Sequence, residues 1–496
     1  MKLYLQRNSE IPLYQQIADQ IRERVRSGAL PPGTRLPPVR QLANELGLTR
    51  LTVHTAYAEL QAEGIIESFV GRGSFVASQS GTATAPPADA GARAQPPAAW
   101  ASQSLLADMQ RMALQPNLRS FAQAIPAPET YPVHEFRRAL SMALNDPAAL
   151  GYRPTQGEAI LREQVSRLLL DRGINAAPDL VLIAAGAQQG IDLALRAFAE
   201  PGDIVLAEEP TYPGFIELAA QRGQRIVGLP IDEYGLRVDA LEAACEAYRP
   251  RLLYTVATFH NPTGVLLSAE RRQALLRIAR AYNVLVVEDD AYGLLSYDNS
   301  PPPALKASDT AGHVIFITSF SKVLMPSLRL GAVVAAADQL PALLAAKRSS
   351  DLVCSPLLQR ALAEYLRRPG IEGHLQQVRL LYAERRDAML AALEHHLPEC
   401  HWSYPAGGLC LWLALPEGID ERDFYLDAIE RGVGVAPGRA FFSQPQHDAF
   451  IRLSFGAHPP QVIEESVAQL GSLLREHLRR PALLAARACR ESGPLV

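Results

Sequence analysis

The first apolar pattern in the chain repeats every four residues close to the N-terminus. In the stretch PLYQQIADQIRERVRSG, Leu13, Ile17, Ile21 and Val25 fall on one helical face, and polar residues fill most of the other positions. Gly28 follows as a stop signal. The pattern therefore predicts an amphipathic first helix.

Two further helices follow with a very short connection between them. The stretch PVRQLANELG predicts a second helix, and TRLTVHTAYAELQAEG predicts a third, in which Thr49 caps the first turn. Only a turn around Gly47 separates the two, which is the helix-turn-helix pattern. The next stretch, IIESFVGRGSFVA, predicts two short strands joined by a wing formed by Gly71, Arg72 and Gly73.

From residue 117 onward, strand-like runs alternate with helical ones. The strand-like runs are DLVLIAAG, DIVLAEEP, LLYTVATFHNPTG, VLVVEDDAYG and HVIFITSF, and helical patterns such as AQQGIDLALRAFAEPG lie between them. Such alternation predicts an α/β fold, a mostly parallel sheet covered by helices. Ligands of such sheets bind beyond the carboxyl ends of the strands.

A stretch of small residues separates these two parts. Residues 78–103 are rich in Ala, Pro, Gly and Ser and nearly lack large apolar residues, so we expect a linker there. We therefore divide the chain into an N-terminal helix-turn-helix domain, a linker, a large α/β domain and a C-terminal tail, over residues 1–77, 78–116, 117–480 and 481–496.

Composition excludes several classes of protein. The chain has 496 residues, which is too long for one ordinary domain, and a formal net charge of −4, which gives no overall sign of nucleic-acid binding. No stretch approaches the roughly 20 apolar residues of a membrane span, and the start lacks the apolar core of a signal peptide, so we expect a cytoplasmic protein. The five cysteines are scattered without C-x-x-C spacing, which argues against a disulfide framework or a zinc site.

Polar residues at the start of the third predicted helix indicate a nucleic-acid contact. Hydrogen-bonding side chains there are suited to phosphates and to base edges in a major groove, whereas a module that only packs would not need them. Arg40 lies at the start of the second predicted helix, and Arg72 lies at the tip of the predicted wing. These candidate residues are Arg40, Thr49, Arg50, Thr52, His54, Thr55 and Arg72.

The N-terminal part resembles a known DNA-binding family. The stretches GALPPGTRLPPVRQLANELGLTRLTVHTAYAELQAEG and GRGSFVA are similar to the winged-helix domain of GntR-family regulators, over residues 10–77. The resemblance implies double-stranded operator DNA as a partner. It also implies DNA contacts by Arg40, Arg50, Thr52 and His54, and a wing shaped by Gly71 and Gly73 with Arg72 at its tip.

Polar clusters in the large domain fall at the predicted strand ends. GAQQG opens a helix after a strand, so the free amides of Ala187 and Gln188 can hold a phosphate. Tyr212 in PTYPG can stack on a flat ring, although an isolated tyrosine at such a place usually only packs. The remaining candidates, from HNPTG, EDDAYG, SFSK and SLRLG, are Asn261, Asp289, Tyr292, Ser319, Ser321, Lys322 and Arg329.

These clusters together fit one cofactor. Pyridoxal 5′-phosphate forms a Schiff base with a lysine and commonly pairs its ring nitrogen with an aspartate. This cofactor requires a phosphate-binding turn, an aromatic ring that stacks on its own ring, an acid and a lysine. The clusters supply all four, with Lys322 as the lysine. The alternative is that Lys322 is an ordinary surface lysine after a strand, but the order and spacing of the motifs favour the cofactor.

The large domain resembles the fold-type I aminotransferases of class I/II, over about residues 117–475. The resemblance implies a smaller α+β subdomain, a Schiff base on Lys322, a ring-nitrogen contact by Asp289, ring-hydroxyl contacts by Asn261 and Tyr292, and stacking by Tyr212. It implies phosphate contacts by Ser319, Ser321, Arg329 and the amides of Ala187 and Gln188, and by Tyr152 from the neighbouring subunit of a homodimer. Arg452 would hold the α-carboxylate of an amino acid.

A GntR-like winged helix followed by a linker and an aminotransferase-like domain resembles the MocR subfamily of GntR-family regulators. The resemblance implies a pyridoxal-phosphate-dependent transcriptional regulator that senses an amino acid, an amine or the cofactor itself. Two alternatives stay open, an active aminotransferase with an appended DNA-binding head and a regulator that has lost the cofactor. The effector, the operator, the choice between activation and repression, and turnover are not predicted by the sequence.

Overall fold

The computed structural model describes residues 12–26, 30–31, 34–62, 65–69, 73–76, 115, 117–298, 302–368, 370–446 and 448–491. The chain divides into two compact units, Met1–Leu105 and Leu106–Val496.

The described residues of the small unit form three helices and a pair of strands, and the predicted winged helix-turn-helix is confirmed. Gly47 ends the second helix in the left-handed region, at φ 63°, and its N–H donates to the carbonyls of Ala43 and Asn44. The Thr49 hydroxyl accepts from the N–H of Thr52 at 3.3 Å, as a cap does. The elements are α1 (Leu13–Arg26), α2 (Val39–Leu46), α3 (Arg50–Ala62), β1 (Ile66–Phe69) and β2 (Gly73–Val76).

The core of the small unit is built from the periodic apolar positions. Ile17 and Ile21 of α1 are fully buried, and they pack in one cluster with Val53 and Leu60 of α3. Strand β1 pairs antiparallel with β2. The hydroxyl of Tyr57 donates to the carbonyl of Pro37 at 2.8 Å, which ties α3 to the chain before α2.

The large unit is built on an eight-stranded mixed sheet. Six of its strands run parallel, while the strands Gly331–Val334 and Gly235–Leu236 run in the opposite direction. In spatial order the strands are β4 (Val181–Ala184), β11 (Gly331–Val334), β10 (Val314–Ser319), β9 (Leu285–Asp289), β8 (Leu252–Thr255), β5 (Ile204–Glu209), β6 (Arg225–Asp232) and β7 (Gly235–Leu236).

Helices cover both faces of this sheet, as the sequence predicted. Neighbouring strand residues point to opposite faces, so Leu252 and Leu253 belong to two different apolar clusters. The α-helices among the described residues of the large unit are α4 (Val133–Leu144), α5 (Ala159–Leu168), α6 (Ala187–Phe198), α7 (Pro213–Gln221), α8 (Val238–Tyr248), α9 (Ala269–Ala281), α10 (Leu340–Ser350), α11 (Pro356–Leu366), α12 (Gly370–His396), α13 (Glu421–Glu430) and α14 (Pro460–Glu491).

The large unit also contains a smaller four-stranded antiparallel sheet, and its helices α12 and α14 pack against each other. Its strands, in spatial order, are β12 (His401–Trp402), β13 (Cys410–Ala414), β16 (Phe450–Ser454) and β15 (Ala436–Pro437), while β14 (Val433–Gly434) pairs with β3 (Arg119–Ser120). Helix α14 continues through residue 491, into the 481–496 segment that the sequence treated as a separate tail. Within the described residues, no helix is long and apolar enough to cross a bilayer.

Three consecutive acidic residues at the end of β9 take three different partners. Glu288 accepts hydrogen bonds from the backbone N–H groups of Leu305 and Lys306. Asp290 pairs with Arg172, whose Nε donates to Oδ2 at 2.7 Å, and both side chains are only 2% exposed. Asp289 lies between them and faces a cavity. The Arg172–Asp290 ion pair therefore fixes the chain next to Asp289 and does not involve the Asp289 carboxylate.

Replacement of Arg172 by Met should destabilise the large unit by about 3–5 kcal/mol, because it leaves the Asp290 carboxylate buried without a counter-charge. Urea unfolding followed by tryptophan fluorescence measures the change. Arg237→Met is the matched control, since Arg237 and Asp239 form an exposed pair whose loss should leave the midpoint unchanged within error. Equal midpoints for both variants would contradict a structural role for the buried pair.

Candidate functional site

Polar side chains from the carboxyl ends of the parallel strands meet in one cavity of about 450 Å³. The smaller sheet contributes an arginine to the same cavity, and residues 122–125 form another part of its wall. The residues singled out in the sequence that line this cavity are Ala187, Gln188, Tyr212, Asn261, Asp289, Tyr292, Ser319, Ser321, Lys322, Arg329 and Arg452.

The turn between β4 and α6 presents backbone N–H groups at the cavity wall. Gly186 lies at φ 85°, which glycine adopts without strain, and it directly precedes the first helical residue, Ala187. A Cβ on Gly186 would lie 3.3 Å from Nη2 of Arg329. Because the first N–H groups of a helix lack an intrahelical partner and attract anions, the amides of Ala187 and Gln188 are suited to a phosphate.

Two hydroxyls and a guanidinium lie beside this turn. The N–H of Ser321 donates to the hydroxyl of Ser319 at 3.3 Å, which folds the chain back after β10. Arg329 donates from Nη1 to the Ser321 hydroxyl at 3.5 Å and from Nη2 to the Ala185 carbonyl at 3.3 Å. The cation and the helix N-terminus together favour an anion with several oxygen atoms.

Asp289 places a carboxylate deep in the cavity with one oxygen unpaired. Its Oδ2 accepts from the hydroxyl of Tyr254 at 2.9 Å, while its Oδ1 has no hydrogen-bond partner. Burial raises the pKa of Asp289 to about 6, and the hydrogen bond from Tyr254 opposes this rise. A buried oxygen without a donor is costly, so this site is suited to a ligand that donates a charged N–H.

Two tyrosines form aromatic walls. Tyr212 precedes α7, and a Cβ on Gly214 would lie 2.6 Å from the Tyr212 ring, so glycine at that position makes room for the ring. Burial raises the pKa of Tyr212 to about 12, which keeps its hydroxyl neutral and able to donate. Tyr292 is 3% exposed. A flat ligand ring is the natural occupant of such walls.

Lys322 differs from the other lysines of the described chain in its surroundings. Lys306 pairs with Asp309 and Lys347 pairs with Asp351, but Lys322 has no ion-pair partner among the described residues. Its Nζ donates to the carbonyl of Ala124 at 2.7 Å. Burial, together with the nearby charge of Arg452, lowers the pKa of Lys322 to about 8. A substantial fraction of this amine is therefore neutral and nucleophilic near neutral pH.

Arg452 extends from β16 to the opposite side of the cavity. Its Nη1 donates to Oδ1 of Asn261 at 2.8 Å, and its Nη2 donates to the carbonyl of Ala122. The guanidinium lies 4.8 Å from the centre of the Phe441 ring, and its Nε has no hydrogen-bond partner. The guanidinium is therefore suited to a ligand carboxylate, which would replace the neutral acceptors Asn261 and Ala122.

Tyr152 does not line the cavity. It is 89% exposed and lies between α4 and α5. The predicted phosphate contact of this residue comes from the neighbouring subunit, so its exposure in one chain is compatible with the prediction and does not test it.

The candidate DNA contacts lie on and around α3. Arg50 and His54 are exposed, and Thr52 is half-buried at the first turn, where its hydroxyl lies 2.9 Å from that of Thr49. Arg40 belongs to α2, and Gly73 begins β2. The wing residues Gly71 and Arg72 lie outside the described residues.

Three cavity features were not predicted. Tyr254 donates to Asp289, Phe441 packs against Arg452, and Gly214 makes room for Tyr212. A tyrosine within an otherwise apolar buried strand is a usable signal, because its hydroxyl needs a partner in the interior. Phe441 has no comparable local signal, since it reaches the cavity from a distant part of the chain.

The lowered pKa of Lys322 predicts selective chemistry at that amine. Reductive methylation of protein freed of carbonyl ligands should modify Lys322 with a half-maximal rate near pH 8, because the neutral amine is the reactive form. Lys306, which pairs with Asp309, is the internal control for access of the reagent. Peptide mass spectrometry across pH 6 to 11 measures both rates. A rate at Lys322 that reaches half its maximum only near the ordinary lysine pKa of about 10.4 would contradict the assigned environment.

Two known protein families match the chain, one within each of its two units. Residues 13–76 match the family described as bacterial regulatory proteins, gntR family, and residues 124–470 match the family described as aminotransferase class I and II.

Relatives exist with and without the small unit. The 2-aminoadipate transaminase of Thermus thermophilus is 36% identical over 75% of this chain and 94% of its own length. The structure of LysN, an alpha-aminoadipate aminotransferase from the same species complexed with N-(5′-phosphopyridoxyl)-L-leucine, matches with a TM-score of 0.71 and 35% identity, over 76% of this chain and 97% of that one.

The "Probable rhizopine catabolism regulatory protein MocR" of Rhizobium meliloti is 30% identical over 95% of this chain and 95% of its own length. That match extends across both units. The chain therefore belongs to the MocR-type transcriptional regulators of the GntR family, which join a helix-turn-helix unit to an aminotransferase class I and II unit.

Proposed function

We propose that this regulator binds pyridoxal 5′-phosphate in its large unit, senses an amino acid or amine there, and binds operator DNA through its small unit. The observation that carries the proposal is the cavity itself. It brings together the Lys322 amine, which has no ion pair among the described residues, and the Asp289 carboxylate with its unpaired oxygen. Beside them lies the turn over residues 185–188, called here the anion-binding turn because its free amides are suited to a phosphate.

The residues present fit this cofactor. The unpaired Oδ1 of Asp289 is suited to the protonated ring nitrogen, because a charged N–H would satisfy the buried oxygen. Tyr212 would stack on the ring, with Asn261 and Tyr292 near its hydroxyl. The phosphate would be held by the amides of Ala187 and Gln188, together with Ser319, Ser321 and Arg329.

Two side chains of this protein, Lys322 and Arg452, would act on the bound cofactor and the amino acid. When bound, the cofactor supplies an aldehyde that takes up an amine and a ring that withdraws electrons from the resulting bond. Lys322 would provide the resident amine, which must lose a proton before it attacks a carbonyl carbon. Arg452 would hold the carboxylate of an amino acid in place of its present acceptors, the Asn261 amide and the Ala122 carbonyl.

We further infer that the protein is a homodimer. Tyr152 lies on a stretch that also exposes Val133, Leu144 and Leu150, at 53%, 51% and 62%. A cluster of exposed apolar residues is typical of an interface. A second copy of the chain would cover this surface and bring its Tyr152 hydroxyl to the phosphate.

Regulation would follow from differential binding. An effector that occupies the cavity can shift the equilibrium between two arrangements of the dimer only if it binds them with different affinities. The two DNA-reading units would then be presented with different spacing to their half-sites.

A second candidate function is transamination. It is favoured by the complete set of polar groups in the cavity and by 36% identity to a transaminase over 75% of this chain. Multiple-turnover assays with an amino acid and a keto acid distinguish the two. A regulator that only senses its effector would respond at the DNA without sustained formation of the second amino acid.

Replacement of Lys322 by Ala should abolish covalent retention of the cofactor and the response to an amino effector, while DNA binding persists. Borohydride trapping followed by peptide mapping measures retention, and in the wild type it should label Lys322. Gel shifts with a DNA fragment selected by this protein from a random library, with and without an amino-acid panel, measure the response. Lys306→Ala is the matched control. A full response in the Lys322 variant, or trapping at another residue, would contradict the proposal.

Replacement of Arg50 by Ala should weaken binding to the selected DNA by about 1–3 kcal/mol, the usual range for an arginine contact to a base edge. Cofactor retention should be unchanged, because Arg50 belongs to the other unit. The exposed Arg280 on α9 of the large unit is the control, since Arg280→Ala removes the same charge. Equal DNA affinities for the two variants would exclude α3 as the recognition helix.

A further inference from the structure

A fully buried lysine lies behind the anion-binding turn, outside the cavity. Lys347, on α10, is 0% exposed, and it is one of only four lysines in the sequence. Burying an ammonium costs several kcal/mol unless the charge is paired and its donors are satisfied. The neighbours of Lys347 must therefore balance its charge and accept its N–H groups.

Three residues contact the Lys347 ammonium. Its Nζ donates to both carboxylate oxygens of Asp351, at 2.9 and 3.0 Å. It donates to Oε1 of Gln189 at 3.0 Å and lies 3.2 Å from the sulfur of Cys354. The ammonium has three N–H donors, and the two Asp351 oxygens and Oε1 of Gln189 each take one. Asp351 balances the charge, but Gln189 has no role in that balance.

The contact with Gln189 leads to the anion-binding turn. Oε1 of Gln189 also accepts from the backbone N–H of Ala185 at 2.8 Å. On the other side of the same residue, the Ala185 carbonyl accepts from Nη2 of Arg329 at 3.3 Å. Ala185 is thus held on one side by the buried Lys347–Gln189 pair and on the other by the arginine at the cavity.

We propose that Lys347 and Gln189 are positioning residues for phosphate, an inference that rests on the proposed cofactor. The ammonium polarises the Gln189 amide, which strengthens the bond from Ala185 and fixes the backbone just before Gly186. This constraint orients the N–H groups of Ala187 and Gln188 toward the part of the cavity that the Arg329 guanidinium lines. Neither Lys347 nor Gln189 lines the cavity, so both act through the turn.

The alternative role is purely structural, in which Lys347 only joins α10 to α6. The two roles differ in what they do to the phosphate group. A positioning role affects ligands that carry phosphate, whereas a packing role affects every ligand of the cavity alike. Pyridoxal, which has the same ring and aldehyde without the phosphate, separates them.

The test measures equilibrium dissociation constants of the full-length protein for pyridoxal phosphate and for pyridoxal by absorbance titration. Lys347→Met should weaken pyridoxal phosphate binding by about tenfold or more, the usual effect of losing an outer-shell partner, and leave pyridoxal within about twofold. Gln189→Met should do the same, and it keeps the Lys347–Asp351 pair, so it tests the proposal even if Lys347→Met fails to fold. Gln189→Glu should bind like the wild type, because a carboxylate oxygen accepts from both Ala185 and Lys347.

The outcomes separate this inference from the proposed function. Equal losses for both ligands in Gln189→Met, or no loss for either, would overturn the positioning role while the cofactor proposal stands. A wild type that binds neither ligand would overturn both. A loss confined to pyridoxal phosphate, restored in Gln189→Glu, is the expected result.

Discussion

The unpaired carboxylate oxygen of Asp289 is the constraint around which the large unit is organised. Its two acidic neighbours along the chain are fully engaged elsewhere, Glu288 by backbone N–H groups and Asp290 by Arg172. Asp289 alone faces the cavity, where Tyr254 satisfies only one of its oxygens. A buried acceptor of this kind is tolerated when a ligand completes it, and the groups that surround it determine which ligand does so.

The sequence predicted the fold and most of the cavity because both follow from one geometric rule. Parallel strands end at the same edge of a sheet, so Tyr212, Asn261, Asp289 and Lys322 could be brought together from their positions after predicted strands. The reversed direction of β11 was not predicted, since its apolar residues have the same pattern in either direction. Arg452, on the smaller sheet, was assigned through resemblance alone.

Contacts between distant parts of the chain explain what was missed. Tyr254 reaches Asp289 because β8 and β9 pair with Tyr254 opposite Val287, and this register is not apparent from either strand alone. Lys347 lies in a helical stretch whose sequence, AAKRSS, is typical of an exposed surface, yet the fold buries it completely. Its role depends on Gln189 and Ala185, which only the packing of α10 against α6 brings near.

We propose that the cavity and the DNA-binding unit are energetically coupled, and linkage makes this coupling testable without knowledge of the pathway between them. If an amino effector changes affinity for the operator by some factor, operator DNA must change affinity for the effector by the same factor. The direct measurement is an absorbance titration of the pyridoxal-phosphate-loaded protein with an amino effector, with and without saturating selected DNA. Coupled units should give effector dissociation constants that differ by the factor found in gel shifts. Identical constants, together with an unchanged gel shift, would show that the two units act independently.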